Sequence, residues 1–139
     1  MLRAMATSDL PPTPAAGLQI AVVGAGPAGL ALALTAAREL PDARITLFDA
    51  RPADLDVSGD PRTLALSLGS VQLLQRLGCW PAATAQPIVS VHVSQQQPTP
   101  WLERKGGPEV TIEAGREGVP MLGAVLSYGS LVAPMQQAW

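Results

Sequence analysis

The chain of 139 residues carries one cysteine and one histidine. With Cys79 alone, an intrachain disulfide and a cysteine-based zinc site are both excluded. Cys79 follows a helix-like stretch and reads as a small core hydrophobe. His92 lies between Val91 and Val93 in an alternating segment, so it is expected on the solvent face of a strand. No partner for a catalytic triad accompanies it, and no metal site is expected. Charged residues make up only 14% and hydrophobic residues 47%, which excludes a disordered chain and suits an apolar α/β core. The net charge is −2 and there is no basic stripe, so nucleic acid is excluded as a partner. No charge occurs between Leu10 and Ala37. Such a window resembles a signal peptide or a membrane span, but Gln19, Pro27 and three glycines interrupt it, and no strongly basic segment leads into it. A strand, a phosphate loop and a buried helix explain the same apolarity.

What the chain does have is Val22-Val23-Gly24-Ala25-Gly26-Pro27-Ala28-Gly29, a short apolar β-branched run followed by G-x-G-x-x-G. Gly24 is expected to make the tight turn out of a strand. Gly26 has no β-carbon and leaves room for a phosphate. Gly29 lets the following helix pack close to the strand. The free N–H groups of that helix's first turn, aided by its dipole, then face an anion. Asp49 falls about twenty residues beyond the last glycine, where an acidic side chain can accept hydrogen bonds from a ribose hydroxyl. A surface strand-end aspartate is the plainer alternative. Asp49 would repel an NADP 2′-phosphate, although Arg51 nearby weakens that discrimination. FAD or NAD is the expected ligand.

Residues 1–17, rich in proline and alanine, read as a flexible leader, and residues 18–139 as one domain. The pattern predicts a strand over Leu18–Val23, buried on both faces. It then predicts a helix from Pro27 to about Leu40 and a second strand over Arg44–Asp49. Leu66, Val71, Leu73, Leu74 and Leu77 fall at helical spacing within Thr63–Leu77, with Gly78 as its stop. Pro87–Ser94, Glu109–Ala114 and Met121–Ser127 read as three strands in succession, an antiparallel meander. The loops between them carry Pro98, Pro100, Gly106-Gly107 and Gly115. A last helix is expected over Leu131–Trp139, interrupted by Pro134. Glu103, Glu109, Glu113 and Glu117 are spread through loops and strands and read as a solvated face.

Three stretches carry a family resemblance. The first is the glycine motif itself. The second is Asp60-Pro61-Arg62-Thr63-Leu64-Ala65-Leu66-Ser67, continuing to Leu74-Gln75-Arg76-Leu77-Gly78-Cys79-Trp80. The third is Pro87-Ile88 through His92-Val93-Ser94, with Leu122-Gly123-Ala124-Val125 downstream. Together they resemble the FAD-dependent 2-polyprenylphenol hydroxylases of ubiquinone biosynthesis, within the p-hydroxybenzoate-hydroxylase-like flavin monooxygenases. The resemblance spans Leu18 to Trp139. It implies an α/β, Rossmann-like, GR2-type FAD-binding domain: a parallel β-α-β unit plus an antiparallel layer. It also implies a truncated form, because the family's second flavin fingerprint, a Gly-Asp pair followed by Ala-His, does not occur.

By that resemblance Gly24, Ala25, Gly26, Pro27, Ala28 and Gly29 cradle the FAD pyrophosphate. Asp49, with Arg51 beside it, holds the adenosine ribose, where the family more often has Glu. Arg62 sits against the flavin cofactor; read alone, it is a solvated loop charge. The implied activity is hydroxylation of a polyprenylated phenol using NAD(P)H and O2, in a cytoplasmic protein peripheral to the inner membrane. The cofactor carries the hard chemistry, so no residue here receives a catalytic role. Two other readings stay open: an NAD-binding dehydrogenase domain, and a non-catalytic remnant of the flavin fold. The antiparallel strands and the Arg62 segment favour flavin over NAD.

Overall fold

A computed structural model describes residues 17–94 and 109–139. Residues 1–16 of the leader, Glu103 and the loop containing Pro98, Pro100 and Gly106-Gly107 lie outside the described residues. The chain opens with β1 (Gln19–Val23), α1 (Pro27–Glu39) and β2 (Arg44–Phe48). β1 and β2 are parallel, with Ile20 opposite Ile45 and Val22 opposite Leu47. This is the expected β-α-β unit, and α1 crosses between its strands as parallel pairing requires. β1 is not buried on both faces, however. Val22 is buried, whereas Val23 is 85% exposed. Among the described residues the sheet has two strands, and α1 covers one side of it. Apolarity qualifies a strand for burial, but a covering neighbour has to supply it.

The stretch Thr63–Leu77, expected as one helical pattern, is two elements: β3 (Thr63–Ser67) and α2 (Leu68–Leu77). Leu64 and Leu66 alternate with exposed Thr63, Ala65 and Ser67, as a half-covered strand demands. Ser67 ends the strand and caps the helix, its Oγ accepting from the Ser70 N–H at 3.4 Å. At the other end Gly78 is left-handed, φ 76°. Its N–H donates to the Gln75 carbonyl and the Cys79 N–H to the Leu74 carbonyl, the paired closure that a C-terminal glycine permits.

Downstream come β4 (Gln86–Ile88), β5 (Ser90–Ser94), β6 (Glu109–Glu113), β7 (Gly123–Ser127) and α3 (Tyr128–Ala138). The single strand expected over Pro87–Ser94 is split at Val89. The Ile88 carbonyl accepts from Leu122, beside β7, while the Val89 carbonyl accepts from Ala114, beside β6. Adjacent carbonyls are thus claimed by different sheets. The expected meander is also replaced. β5 and β6 form their own antiparallel ribbon, and β7 lies between β3 and β4 in a three-stranded antiparallel sheet. The antiparallel layer is present, built around β7.

α3 starts earlier than its pattern suggested and runs through Pro134 without a break. Proline removes one hydrogen bond and crowds the preceding turn. Leu131, Val132 and Met135, all but fully buried around it, hold the helix together. Ser127 caps α3 just as Ser67 caps α2, with Ser130 donating at 3.1 Å. The core joins Leu30 of α1, Leu74 of α2, Leu126 of β7 and Leu131, Val132 and Met135 of α3. Cys79 belongs to it, and burial pushes its thiol pKa up. Among the described residues, no helix is long and apolar enough to cross a membrane.

Candidate functional site

The glycine turn sits where β1 hands over to α1. Gly24 has φ 104°, a conformation that side-chain-bearing residues rarely adopt. Its N–H donates to the Phe48 carbonyl at 2.7 Å, tying the turn to the end of β2. A β-carbon on Gly29 would overlap the Gly24 carbonyl oxygen, so α1 lies directly against the turn. A β-carbon on Gly26 would meet nothing within 4 Å. Gly26 is the N-cap of α1 and offers no capping side chain, and Pro27 comes next. The turn is therefore open on the side where an anion would approach, and the N–H groups of the first helical turn have no side-chain cap. That opening fits a phosphate group.

Asp49, one residue beyond β2, folds back onto the turn. Its Oδ2 accepts from the Ala25 N–H at 2.6 Å, and its Oδ1 accepts from the Arg51 backbone N–H at 2.8 Å and from Arg51 Nε at 2.9 Å. The Arg51 side chain, then the Arg51 and Ala25 N–H groups, hold the carboxyl well below the usual carboxylate range. Arg51 in turn is raised by the Asp49 carboxylate and by Tyr128. The spacing in sequence points Asp49 at a ribose. It does stand at the end of β2 beside the turn, but both of its oxygens already have partners within the chain.

A cleft of about 340 Å³ opens here, lined by Ala25, Phe48, Asp49, Arg51, Leu55 and Trp139, among others. Arg51 reaches across its wall, donating from Nη1 to the Tyr128 hydroxyl at 3.2 Å and from Nη2 to the Ala25 carbonyl at 3.4 Å. Arg62 is also nearby. Its Nη2 pairs with Asp60 at 2.7 Å, and its guanidinium lies 4.4 Å from the centre of the Tyr128 ring. The Asp60 side chain raises the Arg62 pKa. Gly24–Gly29, Asp49, Arg51 and Arg62 are thus linked through shared contacts.

Sequence reasoning does not find Tyr128, Gln136 and Trp139. Tyr128 and Gln136 come from α3 and Trp139 directly follows it, far along the chain, and Gln136 and Trp139 reach the cleft wall. The one signal in the sequence is that Tyr128 is the chain's single tyrosine. His92 is exposed on β5, with Nδ1 3.0 Å from Thr111 Oγ1, and does not line the cleft. Glu109 and Glu117 are exposed, and Glu113 pairs with Arg116 at 2.7 Å. Among the described residues, no group of His, Cys, Asp or Glu is arranged to hold a metal.

A family model described as an NAD(P)-binding Rossmann-like domain matches residues 22–59, from the end of β1 to the loop beyond Asp49. The fold is Rossmann-like. No curated protein matches the chain. The Rossmann-like match covers the glycine turn, α1, β2, Asp49 and Arg51. It stops short of Arg62 and the antiparallel sheet.

Proposed function

We propose that this chain is the FAD-binding portion of an FAD-dependent aromatic hydroxylase, a monooxygenase using NAD(P)H and O2 on a polyprenylated phenol. The observation that carries the flavin reading is the path of the chain after β2. Instead of crossing by a helix to a third parallel strand, the chain enters an antiparallel sheet whose first strand begins right after Arg62. Arg62 is held by Asp60 and lies over Tyr128, whose hydroxyl meets Arg51 at the glycine turn. A guanidinium so placed can form paired hydrogen bonds to phosphate oxygens of a dinucleotide on the turn. When bound, the flavin supplies the redox chemistry. The chain's own residues bind and orient it: the turn takes the diphosphate, and Asp49 borders the adenosine side. A polyprenyl substrate is membrane-soluble, so the work would be done at a membrane surface.

The second reading is a nicotinamide dinucleotide on the same turn, as part of a dehydrogenase. The family match from Val22 to Gly59 favours it. Purified protein mixed with FAD and, separately, with NAD+ discriminates between the two. Retention of flavin colour after gel filtration, with NAD+ binding at least about tenfold weaker, is the expected result, a difference of about 1.4 kcal/mol. Tight NAD+ binding without uptake of FAD would overturn the flavin reading.

A further inference from the structure

Two segments of this chain share one local design. In Asp49-Ala50-Arg51 the carboxylate accepts from the backbone N–H of the arginine two residues on, at 2.8 Å, and from its Nε, at 2.9 Å. In Asp60-Pro61-Arg62 the corresponding distances are 3.1 Å and 3.0 Å. Each arginine is thus clamped by its own aspartate, which offsets part of its charge. The two cations can therefore be brought near each other without a large repulsive cost. They come from different places, the end of β2 and the start of β3, yet both finish on Tyr128. Its hydroxyl accepts from Arg51 Nη1 at 3.2 Å, and its ring lies under Arg62 at 4.4 Å.

Tyr128 is itself fixed. It is buried, and its N–H donates to the Arg62 carbonyl at 2.6 Å, while the Gly129 N–H donates to the Asp60 carbonyl at 3.0 Å. Gly129 cannot carry a side chain, because a β-carbon there would overlap the Ser58 carbonyl oxygen and lie 2.6 Å from that of Val57. The start of α3 is therefore locked onto the Arg62 loop, and the tyrosine ring projects from that lock between the two guanidinium groups. The arginines are the accessible parties, with side-chain exposures of 37% for Arg51 and 67% for Arg62.

We infer that Tyr128 is a positioning residue that sets Arg51 and Arg62 as a pair toward one anionic ligand, the diphosphate of a dinucleotide on the glycine turn. The inference rests on the dinucleotide reading of that turn. It adds a second guanidinium, Arg51, and a shared support on which both depend. The hydroxyl governs Arg51 and the ring governs Arg62, so the two dependences can be separated.

The test is a double-mutant cycle on the affinities for FAD and for ADP, with adenosine as the ligand lacking phosphates. Tyr128→Phe removes only the hydroxyl. It should weaken FAD and ADP about tenfold, the scale of one charge-assisted hydrogen bond, and leave adenosine unchanged. In an Arg51→Gln background the same change should have no further effect, whereas in an Arg62→Gln background it should keep its full effect. Tyr128→Leu, which also removes the ring, should lose its coupling-specific part only when both arginines are replaced. If the Tyr128→Phe and Arg51→Gln effects simply multiply, or if Tyr128→Phe lowers the melting temperature while ADP affinity is unchanged, the positioning role is overturned. If the unmutated protein binds neither FAD, NAD+ nor ADP, the dinucleotide reading itself fails and takes this inference with it.

Discussion

β1 and β7 are both five-residue apolar strands, and they end up in opposite environments. In β1 only Val22 is buried and Val23 is 85% exposed; in β7 Gly123, Ala124 and Leu126 are all buried. The difference lies in their neighbours. β7 has a strand on each edge, β3 and β4, and receives contacts from α2 and α3. Among the described residues β1 has one partner strand and one covering helix. The stability of this chain is thus concentrated around β7 and α3, and its ligand chemistry around β1. The turn after β1 keeps an open side for a phosphate because little is packed over it.

The sharpest way to break that contrast is to change one residue on each side of it. Leu131→Ala, in the fully buried face of α3, should cost about 3 kcal/mol, read as a shift in the urea unfolding midpoint. A cost below about 1 kcal/mol would mean that the core does not centre on α3. Next in size is Gly29→Ala. Its methyl group would overlap the Gly24 carbonyl oxygen, so destabilisation of about 2 kcal/mol is expected, together with loss of dinucleotide binding. Gly26→Ala meets open space and should spare the melting temperature while weakening dinucleotide affinity. This separates the turn's packing glycine from its ligand-facing one.

A smaller effect is expected from acid. Asp49, Asp56 and Asp60 all titrate lower in the folded chain than their ordinary value. Their contribution is complete above the unfolded carboxylate range, near about pH 4, and is lost as pH falls through and below it. Melting temperatures should hold steady at neutral pH and drop in acid, and Asp49→Asn should remove part of that drop. The smallest change is Val23→Thr on the open face of β1, within about 0.5 kcal/mol. A large loss there would show that something covers that face in solution.

Much of the ligand side is legible in the sequence because its determinants are local. Three glycines, a proline and a strand-end aspartate lie within a stretch whose spacing is set by backbone geometry. The core side is less legible. Leu66 fits a helical spacing with Val71 and Leu74, yet β7 pairs with it as a strand, and only long-range pairing decides between the two. Pro134 reads as a stop until the burial of Leu131, Val132 and Met135 outweighs it. Tyr128 lies 77 residues from Arg51 in sequence, and no local pattern announces a contact of that length. The place of Asp49 at the end of β2 can be read from spacing, but its engagement with Ala25 and Arg51 depends on where the turn and β2 meet.

The position of β7 has a consequence in time. The strand at the centre of the antiparallel sheet is the last strand to be synthesised among the described residues, and α3, which supplies three of the five largest fully buried side chains, comes after it. Until those residues have left the ribosome, β3 and β4 have no central strand to pair with, and α1 and α2 have no α3 to close over their apolar faces. Folding must therefore wait for long-range closure rather than grow outward from the glycine turn. For that interval the nascent chain exposes Leu30, Leu74 and both sheet edges, the state in which a chaperone would matter most.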